Sequence, residues 1–135
     1  MTNLQHLQEL DNWQERYEAI LEFGQELDEL DSSFKTNQYR VIGCQSRVWL
    51  ILTWNNNLLQ IKANADSRLV QGLLAMVVSV YQGLTTSQII ELSDNWVLEC
   101  GLSQNLSLVR RGGLNAVINR IMAFCKDGLK DTLNH

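Results

Sequence analysis

The chain has no proline, only two histidines and no C-x-x-C pair among its 135 residues. Each shortage excludes something. With no proline and no Gly/Ser-rich stretch, nothing marks a linker, so residues 1–135 are expected to form a single domain. His6 falls in a terminus expected to fray, and His135 is the last residue. Neither makes a promising general base, and the two are too few for a zinc site. The three cysteines, Cys44, Cys100 and Cys125, are far apart and odd in number. That suits a reducing compartment better than a disulfide framework. No apolar run approaches the ~20 residues that span a bilayer. The start, Met-Thr-Asn-Leu-Gln-His, has neither a basic region nor an apolar one. A cytoplasmic location with no membrane partner is the expectation. Basic surplus is lacking too: 15 acidic residues outnumber 11 basic ones, for a net charge of −4. Nucleic-acid binding favours basic stripes, so none is expected.

What is present suits a packed core. Hydrophobic residues make up 45% of the chain and charged ones 19%, the balance of a globular protein. Asp11 is a plausible helix N-cap, with Gln14 placed as in a capping box. Trp13, Tyr17, Ile20, Leu21 and Gly24 then share one helical face, and the acidic residues between them read as a solvated face. Residues 31–38 are polar and turn-like. Tyr39 to Ile42, Arg47 to Trp54 and Leu58 to Ala63 are β-prone, with Asn55 to Asn57 as a turn. A three-stranded antiparallel meander is predicted.

The helical period returns after Asp66. Asp66 or Ser67 can cap a helix whose face is Leu69, Val70, Leu73, Val77 and Tyr81, stopped by Gly83. Gly72 inside it calls for close packing against a neighbour, since it otherwise costs up to about 1 kcal/mol. Thr85 and Gln88 form a capping-box pair for a short helix through Glu91. Asn95 to Cys100 is another, stopped by Gly101. Ser107 can cap a last helix, with Leu114, Val117, Ile118, Ile121 and Cys125 on one face. Helices packed on an antiparallel sheet make the fold class α+β.

Cys44 differs from the other cysteines. It follows Gly43 at a predicted strand connection, where reactive groups are often presented. Arg47, three residues on, is a candidate for raising its thiolate fraction. Hydrolysis needs a base this sequence does not offer, and dithiol chemistry needs a resolving cysteine. Sulfur transfer asks less. One thiolate attacks the outer sulfur of another protein's persulfide and leaves carrying it, with no base, metal or cofactor of its own.

Four stretches in order then carry a resemblance. G-C-Q-S-R-V-W (Gly43 to Trp49), A-D-S-R-L-V-Q-G-L-L-A (Ala65 to Ala75), G-L-T (Gly83 to Thr85) and L-S-L-V-R-R-G-G-L (Leu106 to Leu114) resemble the SufE/CsdE family. The resemblance covers about residues 11 to 125. It implies a three-stranded sheet with packed helices, similar to the iron–sulfur scaffold IscU. It implies a sulfur acceptor, itself without a cofactor or metal, that stimulates a pyridoxal-phosphate (PLP) cysteine desulfurase of the SufS/CsdA type. The sulfur would then pass to a downstream acceptor or scaffold for iron–sulfur cluster assembly. The acceptor thiol would be Cys44. Gly43, Gln45, Ser46, Arg47, Asp66 and Arg110 would support the loop or dock the partner. One family Asp is Asn64 here, and an Asn before the loop is Tyr39. From the residues alone, Asp66 also reads as an N-cap, Arg110 as a surface cation, and Trp49 and Trp54 as sheet-face residues. The alternative function is an IscU-like scaffold, which needs about four converging thiolate or imidazole ligands.

Overall fold

Gly24 and Gly72 lie back to back where two helices cross. The computed structural model describes residues 3–133, and side chains as far as residue 128. Its elements are α1 (Asn3–Glu9), α2 (Trp13–Glu26), β1 (Val48–Asn55), β2 (Leu58–Ala65), α3 (Arg68–Tyr81), α4 (Thr86–Leu92), α5 (Asn95–Glu99), α6 (Leu102–Asn105) and α7 (Leu108–Leu133). His135 lies outside the described residues.

Helix α3 is the central element. Gly72, Leu73, Leu74, Ala75, Met76, Val77 and Tyr81 are all buried on it. Helix α2 packs along it. A Cβ on Gly24 would come within 2.7 Å of the Gly72 nitrogen, and one on Gly72 would strike the Ile20 carbonyl. The predicted close packing at Gly72 is therefore present, and it lets two backbones approach. Sheet residues Leu50, Leu59, Ile61 and Ala63 join the same core, as do Trp96, Leu102, Leu114, Val117, Ile118 and Ile121.

The sheet has two strands, not three. β1 and β2 pair antiparallel from Val48↔Ala65 to Asn55↔Leu58. Asn56 and Asn57, with φ of 53° and 66°, make the tight turn, which asparagine tolerates better than most residues. The predicted first strand, Tyr39 to Ile42, is reduced to one bridge, Arg40↔Trp49. Val41 N–H donates to the Val48 carbonyl, and Leu50 N–H to that of Tyr39, both at 2.9 Å. A turn enters this segment, with Tyr39 N–H on the Thr36 carbonyl at 3.2 Å. The Gly43 bend ends it. Two turns so close leave room for two ladder bonds, enough for position but not for a strand.

The far edge of β2 is closed by α3 and the residues after it. Leu59 N–H donates to the Leu84 carbonyl at 2.9 Å, and Gly83 N–H to that of Leu59 at 2.8 Å. Gln82 accepts from Ile61 N–H at 2.7 Å, and Gln71 from Ala65 N–H at 2.7 Å. Side-chain and loop partners thus cover an edge that would otherwise invite pairing.

Several boundaries differ from the sequence expectations. Asn12, not Asp11, caps α2, accepting from Glu15 N–H at 2.9 Å. Gln14 reaches Glu18 rather than back to the cap. Ser67 caps α3, while the capping box of Thr85 and Gln88 is present as predicted. The N-terminal segment is helical rather than frayed. Leu7 is 0% exposed, Asn3 N–H donates to Ser79 Oγ at 3.2 Å, and the His6 ring packs edge-on against Phe23. Seven residues are too few for a stable isolated helix, so docking holds α1. Helix α6, unforeseen, starts after Gly101, whose φ is +85°.

Candidate functional site

Cys44 sits at the tip of a bend between the bridge at Arg40 and the start of β1. Gly43 makes the bend possible with φ +100°, a conformation that side chains disfavour. A Cβ there would reach van der Waals contact with Ala116 of α7, at 3.4 Å. The bend folds the Cys44 thiol inward, onto the first turns of α7. Its Sγ donates to the Gly113 carbonyl oxygen at 3.5 Å. A Cβ on Gly113 would lie 3.6 Å from the sulfur, so the loop packs directly on this turn of the helix.

Beside the sulfur is a cavity of about 30 Å³, room for one or two water-sized groups. Val70, Leu73, Leu74, Val109, Leu114 and Val117 give it apolar walls. Gln45, Ser46 and Arg110 line it as well. The G-C-Q-S stretch and the distant Arg110 are therefore brought together.

Burial pushes the Cys44 thiol above the ordinary cysteine range, and the Arg40 guanidinium partly opposes this. The charge acting on the thiol is Arg40's. Arg47, expected to help ionise it, is exposed and contributes backbone. Its N–H donates to the Asp66 carboxylate at 3.0 Å, and its carbonyl accepts from Asp66 N–H at 3.1 Å. Asp66 therefore closes the far stem of the loop instead of capping α3. Arg110 donates to Ser67 Oγ at 3.3 Å, and its own N–H is received by Ser107 Oγ at 3.2 Å. Ser107 thus caps α7 as predicted.

Residues 2–125 match the family model SufE, an Fe-S metabolism associated domain. The chain belongs to the SufE family. Its domain is thus one associated with iron–sulfur metabolism. A hypothetical protein from Thermus thermophilus, known from a solution structure, is similar in fold: TM-score 0.77 over 94% of this chain and 93% of that one, at 16% identity.

In this SufE chain the three thiols have different surroundings. Cys100 and Cys125 are each 0% exposed, and burial raises both above the ordinary range. Cys44 is half-buried at the bend, the most exposed of the three. Trp49 and Trp54 act at the sheet: Lys35 lies over the Trp49 ring, and Trp54 stacks on Phe124 with centroids 5.3 Å apart. Among the described residues, no three His, Cys, Asp or Glu side chains converge to hold a metal. Sequence reasoning missed Gly113 and Arg40 as neighbours of the thiol. Gly113 was visible inside the L-S-L-V-R-R-G-G-L stretch, but its contact with residue 44 was not.

Proposed function

We propose that this protein is a sulfur carrier whose Cys44 accepts sulfane sulfur from a PLP-dependent cysteine desulfurase of the SufS/CsdA type. The desulfurase holds the cofactor and cleaves cysteine; this chain supplies the acceptor thiol. The Cys44 thiolate attacks the outer sulfur of the donor's persulfide. A new S–S bond forms on Cys44, and the donor's own S–S bond breaks. The donor cysteine leaves as a thiolate and takes up a proton from solvent, matching the one Cys44 has lost. No external oxidant or reductant enters. Freed of its sulfur, the desulfurase turns over again, and Cys44 delivers the sulfur to a downstream acceptor or scaffold in cluster assembly, in the cytoplasm. Gln45, Ser46, Arg47, Asp66 and Arg110 position the loop or receive the partner.

The observation that carries this function is the placement of Cys44 on a glycine-hinged bend over an apolar cavity, in a SufE-family chain whose other thiols are buried. A scaffold function would need converging ligands, and Cys44 has no second thiolate or imidazole among its cavity neighbours. The test is intact-mass analysis after incubation with desulfurase and cysteine. Cys44 should gain the mass of one or more sulfur atoms, and Cys44→Ser should gain none. Labelled Cys100 or Cys125 in a Cys44→Ser protein would overturn the proposal.

A further inference from the structure

Gly113, Ala116 and Arg120 occupy positions i, i+3 and i+7 of α7, one stripe of the helix. Each touches the segment that carries the Cys44 loop. Gly113 receives the thiol, and Ala116 backs Gly43. Arg120 holds the stem: Nη1 donates to the Arg40 carbonyl at 2.8 Å, and Nη2 to the Gln38 carbonyl at 3.3 Å. These two carbonyls alternate with that of Tyr39, which already receives the Leu50 N–H from β1. Residues 38–40 are thus held from two sides, by the sheet on one and a guanidinium on the other.

We infer that Arg120 is a positioning residue for sulfur transfer. It fixes the N-terminal stem of the Cys44 loop, so that motion is confined to the bend at Gly43 and the thiol returns to the Gly113 carbonyl. The planar guanidinium suits this task, since its fork spans two carbonyls that a single ammonium cannot hold equally well. Hydrogen bonds from a charged donor are also stronger than the backbone pair beside them. The opposite stem needs no such arginine, because Asp66 and Arg47 exchange two bonds there. The hinge then lies between two clamps, across residues 42–46. Ile42, 83% exposed, lies just beyond the stem that Arg120 clamps and carries no packing that would resist the swing. The same clamp keeps Arg40 in place, whose charge eases ionisation of Cys44.

This role rests on Cys44 being the acceptor, but its test needs no desulfurase. Alkylation of the three cysteines is followed by peptide mapping in the wild type, Arg120→Met and Arg120→Lys. Cys100 and Cys125 are internal controls, since both are enclosed and report general opening. Arg120→Met should raise Cys44 labelling about tenfold, the scale expected when bonds from a charged donor are lost, with Cys100 and Cys125 still protected. Arg120→Lys should fall between Met and wild type. Should Arg120→Met fail to fold, Arg120→Lys carries the test with a smaller rise at Cys44 alone. Unchanged Cys44 labelling, or a parallel rise at all three cysteines, overturns the inference. A protein whose Cys44 labelling follows this pattern but accepts no sulfur would retain Arg120 as the loop's clamp and lose the carrier function.

Discussion

The Asp66 carboxylate accepts the Arg47 N–H at 3.0 Å, and the Asp66 N–H returns a bond to the Arg47 carbonyl at 3.1 Å. This reciprocal pair extends the β1–β2 ladder by one step beyond Val48↔Ala65. It ends the sheet where the Cys44 loop begins. A side chain thus finishes what the backbone ladder starts, and its loss frees the loop's C-terminal stem.

Asp66→Ala should therefore speed Cys44 alkylation in the free protein by about threefold to tenfold, the scale of one lost solvent-exposed hydrogen bond. Asp66→Asn keeps an acceptor oxygen and should stay near wild type. Timed alkylation with mass analysis distinguishes them. Equal rates in Asp66→Ala and wild type would show that the pair does not restrain the loop.

Cys44→Ser should abolish sulfur acceptance while changing the unfolding free energy by less than about 1.5 kcal/mol, the scale of one hydrogen bond. The thiol is half-buried and makes one long hydrogen bond, which a hydroxyl can replace, so little packing is lost. Chemical denaturation and intact-mass analysis give the two readouts. A large loss of stability would mean that Cys44 is first a core residue.

Arg110→Ala should weaken stimulation of the desulfurase, seen as a higher carrier concentration for half-maximal effect, while Cys44 remains alkylatable. Arg110 lines the thiol's cavity, and its guanidinium donates to the neutral Ser67 hydroxyl. Its charge is available to a partner. Stimulation curves measured over a range of carrier concentrations decide this, and coincident curves would remove Arg110 from the docking surface.

The thiol's shelter gives a further expectation. Cys44 donates to Gly113 and has a raised pKa through burial, so its alkylation alone should be slow. A desulfurase lacking its own nucleophilic cysteine should accelerate it, because a partner shifts a loop equilibrium only by binding the open state more tightly. Equal rates with and without that partner would dispose of gating.

Tyr81 sets an alkaline limit. Its hydroxyl donates to the Ser93 carbonyl at 2.6 Å and accepts from Trp96 Nε1 at 2.9 Å. Burial, chiefly, lifts its pKa from 10.0 to about 12. The folded state holds this proton more tightly than the unfolded chain. Its contribution to stability is therefore complete below pH 10.0 and falls away as pH rises to about 12. Tyr81→Phe should flatten that part of the stability–pH curve. At neutral pH it should cost about 1–3 kcal/mol, since Ser93 and Trp96 lose their partner. Denaturant titrations at stepped pH measure both effects.

Periodicity and local motifs located α2, α3, α4, α5 and α7, the β1–β2 hairpin and the bend at Gly43. They could do so because those signals are local: apolar spacing, capping pairs, paired asparagines, and a glycine where φ must be positive. The G-C-Q-S stretch likewise singled out Cys44 before any contact was known. Tertiary structure decided the rest. Tyr39 to Ile42 had strand propensity, but only the crowding of two turns shows why it forms a bridge. Asp66 had cap chemistry, yet Ser67 took the cap because Asp66 faces Arg47 across the loop. The N-terminal helix depends on docking against Phe23 and Ser79, which seven residues of local pattern cannot reveal. Above all, the thiol's setting joins Cys44 to Gly113, and the loop's stem to Arg120. Contacts between residues so distant in the chain leave no periodic trace. They exist only once α7 packs against α3, α4 and β1, because the core that holds it there is assembled from elements spread along the whole chain.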